Sequence, residues 1–400
     1  MTRIYTDHKN PSTNLLIENS ENETFSTAWI EKFALKSLKV AVVFLVITMG
    51  FLVLTQQLLN QELTMENERL RNLINDKLHN DLIAHPYYET HSSEFEKFKK
   101  KFNKEYIDEQ DEIRRKLIFL NKIKEIEDLN EDESGTEYGI NEFSDMTDEE
   151  FKKILLPLDY FENLKKHGTF IKKIEHKLAK TVSNVPLRFD WREKGVVTPV
   201  KNQNGCGSCW AFATVATVEC AYAIAHGKLR SLSEQELLDC NLENNACNGG
   251  DVDKAFRFVH EQGLMTEDAY PYVAHRQNTC ALSGQERTKL DVAYWLNPTE
   301  DAIIDWLLTY GPVNVGISVP PTMKPYKGGI YNPSPYDCKF RVLGLHALLI
   351  VGYDQTEDGE KYWIVKNSWG QSYGIEHGYV RFARGVNSCG IEDEPIGILA

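Results

Sequence analysis

The sequence predicts an α+β domain of two lobes, helical first and β second, with a separate charged helical region ahead of it. Three observations carry this. An Ala-rich apolar stretch runs from Ser208 to His226, four β-type runs follow Gly311, and all eight cysteines fall within Cys206 to Cys389. The cysteine-free first half marks a compositional boundary, so two or more units are expected in 400 residues. An apolar content of 42% suffices for an ordinary core and excludes collagen-like and wholly disordered chains. With 45 basic and 59 acidic side chains the formal charge is −14 and no Lys/Arg run dominates. That argues against nucleic acid as a partner, because such affinity rests on neutralised phosphates.

Residues 1–39 are polar and mixed in charge, and Val40 to Leu54 then carries no ionisable side chain. We read 40–58 as a signal-anchor helix. The apolar run is shorter than the roughly 20 residues that usually span hydrocarbon, but Phe33, Leu35 and Leu38 extend it while Lys36 and Lys39 snorkel outward. The apolar part of a cleaved signal is the competing reading; the long preceding segment and the want of a small-residue cleavage site favour an uncleaved anchor. Lys32, Lys36 and Lys39 on one flank, against Arg69 and Arg71 on the other, place residues 1–39 in the cytoplasm. The expectation is a single-pass type II precursor whose thiol-bearing part is lumenal, vacuolar, lysosomal or extracellular, where disulfides persist. The Asn22-Glu-Thr24 match would then stay unglycosylated.

In 59–91, Leu63, Leu70, Leu73, Ile74, Leu78 and Leu82 recur at helical spacing, which fits a stalk helix or, equally, a solvated linker. From Phe95 to Phe151 the pattern is charged and amphipathic, with Phe95, Phe98, Phe102, Ile113, Leu117, Leu120, Ile123 and Ile126 available for one face. Leu155 to Asn184 is lysine-rich without a sustained apolar pattern and reads as an exposed connector, giving units at 92–184 and 185–400. Ser208 stands near the N-cap of the apolar helix and Gly227 closes it. Strands are expected in 313–319, 346–354, 362–369 and 378–385.

The most informative stretch is Gln203-Asn-Gly-Cys206-Gly-Ser-Cys209-Trp210. A cysteine in the first turn of an apolar helix feels the positive end of the macrodipole, which favours thiolate over thiol. His346 opens an apolar β-run; taken alone it reads as structural, and the cysteine motif turns it into a candidate base. Asn367 in Lys-Asn-Ser-Trp is either a turn amide or the group that fixes the imidazole tautomer, with Trp369 screening the bond.

These residues resemble the papain family of cysteine proteases, whose motif is Cys-Gly-[Ser/Ala]-Cys-[Trp/Tyr] with His and Asn far downstream. Here they follow Cys209 by 137 and 158 positions. From about Asp190 to the C-terminus the chain looks cathepsin L-like. The resemblance implies a papain-like fold, a helical lobe plus a β-barrel-like lobe, behind a helical propeptide domain. It implies Cys209 as nucleophile, His346 as general acid and base, Asn367 as its orienter, and Gln203 as oxyanion donor beside the Cys209 N–H. Upstream, Asp111, Arg115, Phe119, Ile126 and Asn130 fall at the spacing of the ERFNIN motif of the inhibitory propeptide, with Asp111 in place of Glu and Lys122 where the first Asn belongs. Gly139, Asn141, Phe143 and Asp145 fit the companion Gly-x-Asn-x-Phe-x-Asp motif. An anchor ahead of such a propeptide resembles protozoan enzymes of the falcipain and cryptopain types.

The same resemblance pairs Cys206 with Cys247, Cys240 with Cys280 and Cys338 with Cys389, one of fifteen connectivities that six cysteines allow. Cys220 is left as a buried thiol. Gly249 and Gly250 correspond to the strip that pairs with an extended substrate. The S2 pocket would comprise Asp251, Val252, Gly316, Gly344 and Leu345, with Glu394 at its floor. Glu394 there would accept arginine at P2 beside hydrophobic residues; a solvated acidic turn is the alternative. Taken together, the expected protein is an endopeptidase zymogen acting on proteins and peptides through a thioester, with no metal or organic cofactor. Its own propeptide would inhibit it until acid and cleavage near residues 175–186 release a monomeric enzyme. A catalytically silent scaffold or inhibitor is the reading from another class.

Overall fold

The computed structural model describes residues 23–131, 135–176, 178–179, 181–281, 284 and 286–400. The first 22 residues, including Asn22 of the glycosylation match, lie outside them, as do Lys177 and Lys180 of the expected cleavage region. The chain divides into two compact units, Met1–Lys77 and Leu78–Ala400. Helix α1 (Glu23–Ile83) runs unbroken through what the sequence divides into N-terminal segment, anchor and stalk. It is long and apolar enough to cross a membrane by length and composition.

In the second unit, helices α2 (Tyr88–Phe102) and α3 (Glu109–Asn130) cross over a core of Leu82, Phe95, Phe98, Phe119, Leu120 and Ile123. Asn103, in the left-handed region, ends α2, and the Asp108 side chain caps α3 by accepting the Asp111 N–H at 2.8 Å. The remaining upstream elements are short: β1 (Thr136–Tyr138), α4 (Asp148–Lys152), α5 (Tyr160–His167) and β2 (Lys172–Lys173). Helix α4 begins in a capping box, Thr147 and Glu150 each satisfying the other's backbone N–H.

After Val185 come β3 (Phe189–Asp190), α6 (Cys209–His226), α7 (Glu234–Cys240), α8 (Val252–Gln262), β4 (Val292–Trp295), α9 (Glu300–Thr309) and β5 (Val313–Val319). They are followed by β6 (Tyr326–Tyr331), α10 (Pro335–Phe340), β7 (Gly344–Gln355), β8 (Lys361–Lys366), β9 (Tyr379–Ala383) and β10 (Ile396–Leu399). The sheet runs β1-β6-β9-β8-β7-β5-β10-β4-β2, with β3 on β7. The upstream region thus supplies both outermost strands: β1 lies antiparallel to β6, and β2 parallel to β4. One core fills the β lobe around Trp306, Trp363 and Val365; a second surrounds α6 and α8 through Trp210, Val215, Phe256 and Val259.

One expectation is corrected. Leu155 to Asn184 is not an exposed connector: Leu155, Leu156, Tyr160, Leu164 and Ile171 are buried. Leu155 joins the core of the β lobe and the others that of the helical lobe; only Tyr160 and Leu164, four apart on α5, keep a helical spacing, too short a run to stand out among the lysines. Disulfides join Cys206 to Cys247, Cys240 to Cys280 and Cys338 to Cys389, leaving Cys209 and Cys220 as buried thiols.

Candidate active site

Cys209 is the first residue of α6, held there by the Cys206–Cys247 bridge and by the Gly207 N–H donating to the Cys247 carbonyl at 3.0 Å. A Cβ at Gly207 would stand 2.5 Å from that carbonyl, so the approach requires glycine. Helix α6 is buried almost all round, with Ser208 at its N-cap making no side-chain cap bond and Gly227 closing it in the left-handed region. The Ala347 N–H reaches the Cys209 sulfur, which sets the start of β7 against the start of α6.

His346, one residue earlier on β7, is fully buried and places Nε2 at 2.7 Å from Asn367 Oδ1. That oxygen also accepts the Ser368 N–H at 2.7 Å, and a backbone amide can only donate. The amide orientation of Asn367 is therefore fixed, and Nε2 must carry the hydrogen. In the neutral ring Nδ1 is then the bare nitrogen, and it has no hydrogen-bond partner. Trp369 stacks on the imidazole with centroids 4.5 Å apart and is itself fully buried, keeping water from the His346–Asn367 bond. Behind this pair the Lys366 ammonium donates to Thr198 Oγ1 at 2.7 Å, and Thr198 donates in turn to Glu219 of α6. Lys201 ties Glu219 and Glu234 together, so buried charges brace the strand end bearing Asn367 against both helices.

The chain upstream of Val185 fills the cleft. Gln203 Nε2 donates to the Ile154 carbonyl and to the Cys206 carbonyl, both at 2.8 Å, and Ser368 Oγ orients its Oε1 at 2.7 Å. Leu156 makes two main-chain bonds with Leu345, at 2.7 and 2.9 Å. A Cβ at Gly344 would stand 2.7 Å from Leu155, and one at Gly249 3.2 Å from Pro157; Gly250 is closed by the Trp210 ring. Gly316 faces Ala347 across the β5–β7 ladder. Val252 is buried and its N–H donates to the Tyr160 hydroxyl at 3.3 Å. Asp251 caps α8 by accepting the Asp253 N–H at 2.8 Å. Glu394 meets Lys165 at 2.6 Å.

With the cleft covered, burial pushes the Cys209 thiol up to about 12 and the His346 imidazole down to about 4. The thiolate expected from the sequence is not favoured while the cleft is closed. Desolvation outweighs the helix end and the N–H groups on the sulfur, so both groups are neutral in this closed state. The ion pair needs water readmitted to the cleft.

The upstream motif residues serve one another and the lobe below. Arg115 forks onto Glu150 at 2.7 Å through both terminal nitrogens and donates to the Asp145 carbonyl at 3.0 Å. Asp145 accepts from Lys104 at 2.9 Å and Tyr106 at 3.0 Å. Asn130 brackets Tyr138 with two main-chain bonds, and Asn141 donates to the Lys324 carbonyl at 2.7 Å. Gly139 donates to the Pro325 carbonyl at 2.9 Å, where a Cβ would run into Lys327. Phe143 and Phe151 stand edge-on to Trp369 at 5.6 and 5.2 Å. Phe119 and Ile126 are buried in the cores, as is Lys122, which pairs with Glu125.

The reactive-type thiol, the oriented imidazole and the plugged cleft agree with what sequence comparison finds. Residues 185–399 match the papain family cysteine protease model, and residues 95–151 match the cathepsin propeptide inhibitor domain model. The chain belongs to the papain family of cysteine proteases. This protease is 38% identical over 311 residues to cathepsin F of Drosophila melanogaster, covering 75% of this chain and 49% of that one, about half its length. It is 38% identical to fruit bromelain of Ananas comosus over 76% of this chain and 84% of that one. Among solved structures it is similar to digestive procathepsin L 3 of Tenebrio molitor larval midgut, with a TM-score of 0.68 at 32% identity over 78% of this chain and 99% of that one. The family and the α+β zymogen fold expected from the sequence therefore stand, and the segment in the cleft lies between the propeptide and peptidase matches of this papain-family protease.

Two propeptide carboxyls respond to pH in opposite ways. Hydrogen bonding to Arg115 holds Glu150 down to about 2. Its folded value lies below its unfolded one, so its stabilisation is present above about 4.5 and is lost only as pH falls towards 2. Burial pushes Glu142 up to about 7, above its unfolded value of 4.5. The fold therefore gains stability as pH falls from about 7 to 4.5 and loses it on the alkaline side. Glu142→Gln should raise Tm at pH 8 by roughly 2–4 °C and leave it unchanged at pH 4, read by thermal melting of the proenzyme. An equal shift at both values would remove Glu142 from the pH response.

Ile154, Tyr160, Lys165 and Asp253 were not singled out by sequence reasoning, although they line or fill the cleft. The Leu-Leu-Pro-Leu run at 155–158 was the available signal, as a short extended stretch fit for a groove.

Proposed function

We propose that this chain is the membrane-anchored zymogen of a cysteine endopeptidase, with Cys209 as nucleophile, His346 as acid and base, Asn367 as orienter and Gln203 as oxyanion donor. The observation that carries it is the Asn367 oxygen shared between the Ser368 N–H and His346 Nε2, because it leaves Nδ1 bare on the residue next to Ala347, whose N–H reaches the Cys209 sulfur. Once the cleft opens, the Cys209 proton passes to His346 and the sulfur attacks the scissile carbonyl. The oxyanion takes the hydrogen bonds of Gln203 Nε2 and the Cys209 N–H, the former now given to the Ile154 carbonyl. His346 then protonates the leaving amine, a thioester forms, and water attacks it with His346 as base. Labelling the matured protein with an epoxide or vinyl sulfone tests this: rapid modification of Cys209 and not Cys220 is expected. An inert Cys209 would instead favour a silent scaffold.

The S2 pocket is read from the way Tyr160 occupies it, buried, with its hydroxyl on Val252 and close to the charges of Asp251 and Glu394. An aromatic plug with a polar tip fits a pocket that takes hydrophobic P2 residues and, through Glu394, arginine. For the matured enzyme Glu394→Gln should cut the Arg/Leu ratio of kcat/KM at P2 by roughly tenfold or more, the worth of a charge-assisted hydrogen bond. An unchanged ratio eliminates the role.

Release at acidic pH is part of this reading; Glu150 and Glu142 do not weaken at mild acid, so neither is its trigger. Cleavage is expected near residues 175–186, where Val182 is tied to Asp305 and the chain then surfaces at Val185 and Leu187. Processing of the Cys209→Ala proenzyme by a trace of mature enzyme should run faster at pH 4.5 than at pH 7; equal rates would refute acid release. We read residues 40–58 as the anchor and 185–400 as the lumenal peptidase, vacuolar, lysosomal or extracellular. Protection of 185–400 from added protease in sealed microsomes, lost on adding detergent, is the matching observation.

A further inference from the structure

The Tyr272 hydroxyl donates to the Gln203 main-chain carbonyl at 2.9 Å and lies 2.7 Å from Ser208 Oγ. Burial raises the pKa of this phenol, so its single hydrogen is in place, and a carbonyl can only accept. That hydrogen points at Gln203, and Ser208 must therefore donate to the Tyr272 oxygen. The Ser208 hydroxyl is thus turned to Tyr272, and it makes no cap bond on α6 although Ser208 stands at the N-cap.

Gln203 hangs between two supports. Its N–H donates to the Ser368 carbonyl at 2.9 Å and its Oε1 accepts Ser368 Oγ at 2.7 Å, both from the stretch that follows β8. On the other side its carbonyl is held by Tyr272, with the Cys206 N–H farther off at 3.4 Å. Tyr272 is fixed in turn. Its N–H donates to Glu267 Oε1 at 2.9 Å, Glu267 meets Lys201 at 3.5 Å, and its ring stands edge-on to Phe212 of α6 with centroids 4.9 Å apart.

We propose that Tyr272 is a positioning residue for hydrolysis: by joining the Gln203 carbonyl to Ser208, the residue before the nucleophile, it sets the spacing of the two oxyanion donors. One of these is a side chain on a loop and the other the first N–H of a helix, and they stabilise a developing charge only when both aim at one point. The inference rests on the oxyanion role given to Gln203 above.

The test compares wild type, Tyr272→Phe, Gln203→Ala and the double variant, each taken through maturation from the proenzyme and counted by epoxide titration of active sites. For one fluorogenic peptide, Gln203→Ala should lower kcat by roughly 10²-fold and Tyr272→Phe by roughly tenfold, with KM unchanged in the latter. Alkylation of Cys209 by iodoacetamide, a displacement at carbon that forms no oxyanion, should keep its wild-type rate in Tyr272→Phe. Added to Gln203→Ala, the tyrosine change should cost less than about twofold, because the donor it positions is already gone. A wild-type kcat in Tyr272→Phe, a full tenfold loss on top of Gln203→Ala, or slowed alkylation would each overturn the proposal. Should Tyr272→Phe fail to fold, Ser208→Ala removes the other end of the same chain, and a wild-type kcat there is equally fatal. A Gln203→Ala enzyme with undiminished kcat would remove the oxyanion assignment itself, and the role of Tyr272 with it.

Discussion

Replacing Cys209 by alanine should lower peptide hydrolysis by about 10⁴-fold or more, because every covalent step passes through its sulfur. The fold should survive. Alanine is common in the interior of α6, the site is fully buried in the closed form, and the neighbouring Cys206–Cys247 bridge does not involve Cys209. The comparison is kcat/KM for one fluorogenic peptide, with the melting temperature of the proenzyme as the fold control. Cys220 serves as the internal contrast, being equally buried but facing Lys366 rather than an imidazole. A Cys209→Ala protein retaining even a hundredth of the wild-type rate would move the nucleophile elsewhere.

The second large effect is expected from Phe151→Ala. Phe151 is fully buried where the propeptide meets the peptidase domain, edge-on to Phe143 at 5.2 Å and to Trp369 at 5.2 Å. Truncating a buried phenylalanine costs about 3–5 kcal/mol in lost transfer and cavity terms. At about 1.4 kcal/mol per decade, this raises the population of open proenzyme by roughly two to three and a half powers of ten. The readout is the rate at which an epoxide modifies Cys209 in intact proenzyme at neutral pH, before any cleavage. A rise below about threefold would mean that the propeptide is held by its other contacts and that the aromatic cluster is incidental. Because Trp369 also covers the His346–Asn367 bond, the same ring that screens the base in the open enzyme anchors its inhibitor in the closed one.

Much of this was legible in the sequence, and what was not has physical reasons. Strands β5, β7, β8 and β9 sit in long apolar runs with β-branched residues, so period and propensity agree. Strands β4 and β10, four residues each, are too short to establish a period, the Lys327-Gly328-Gly329 centre of β6 interrupts one, and β1 and β2 exist only because a partner edge is there to receive them. The nucleophile, base and orienter candidates could be named because they sit in a cysteine motif at known spacing. Their protonation in the closed form could not be foreseen, because it depends on desolvation by Leu155, Leu156 and Tyr160, residues distant in sequence from His346. Asp253 was invisible for a related reason: an acid in the first turn of a helix is ordinary by itself, and only the three backbone N–H groups it accepts, from Thr169, Phe170 and Ile171, make it a docking point.

The propeptide's two sheet contacts carry a further consequence. Because β1 and β2 are the terminal strands, their departure leaves β6 and β4 with bare rows of amides and carbonyls, the surfaces through which sheets recruit foreign strands and aggregate. The β6 rim is blunted by Lys327 and by the Gly328-Gly329 kink, where Gly329 takes a φ of +68° and the ladder slips register. The β4 rim is only four residues long. Brevity on one margin and a twist on the other leave each freed edge a poor template for a foreign strand.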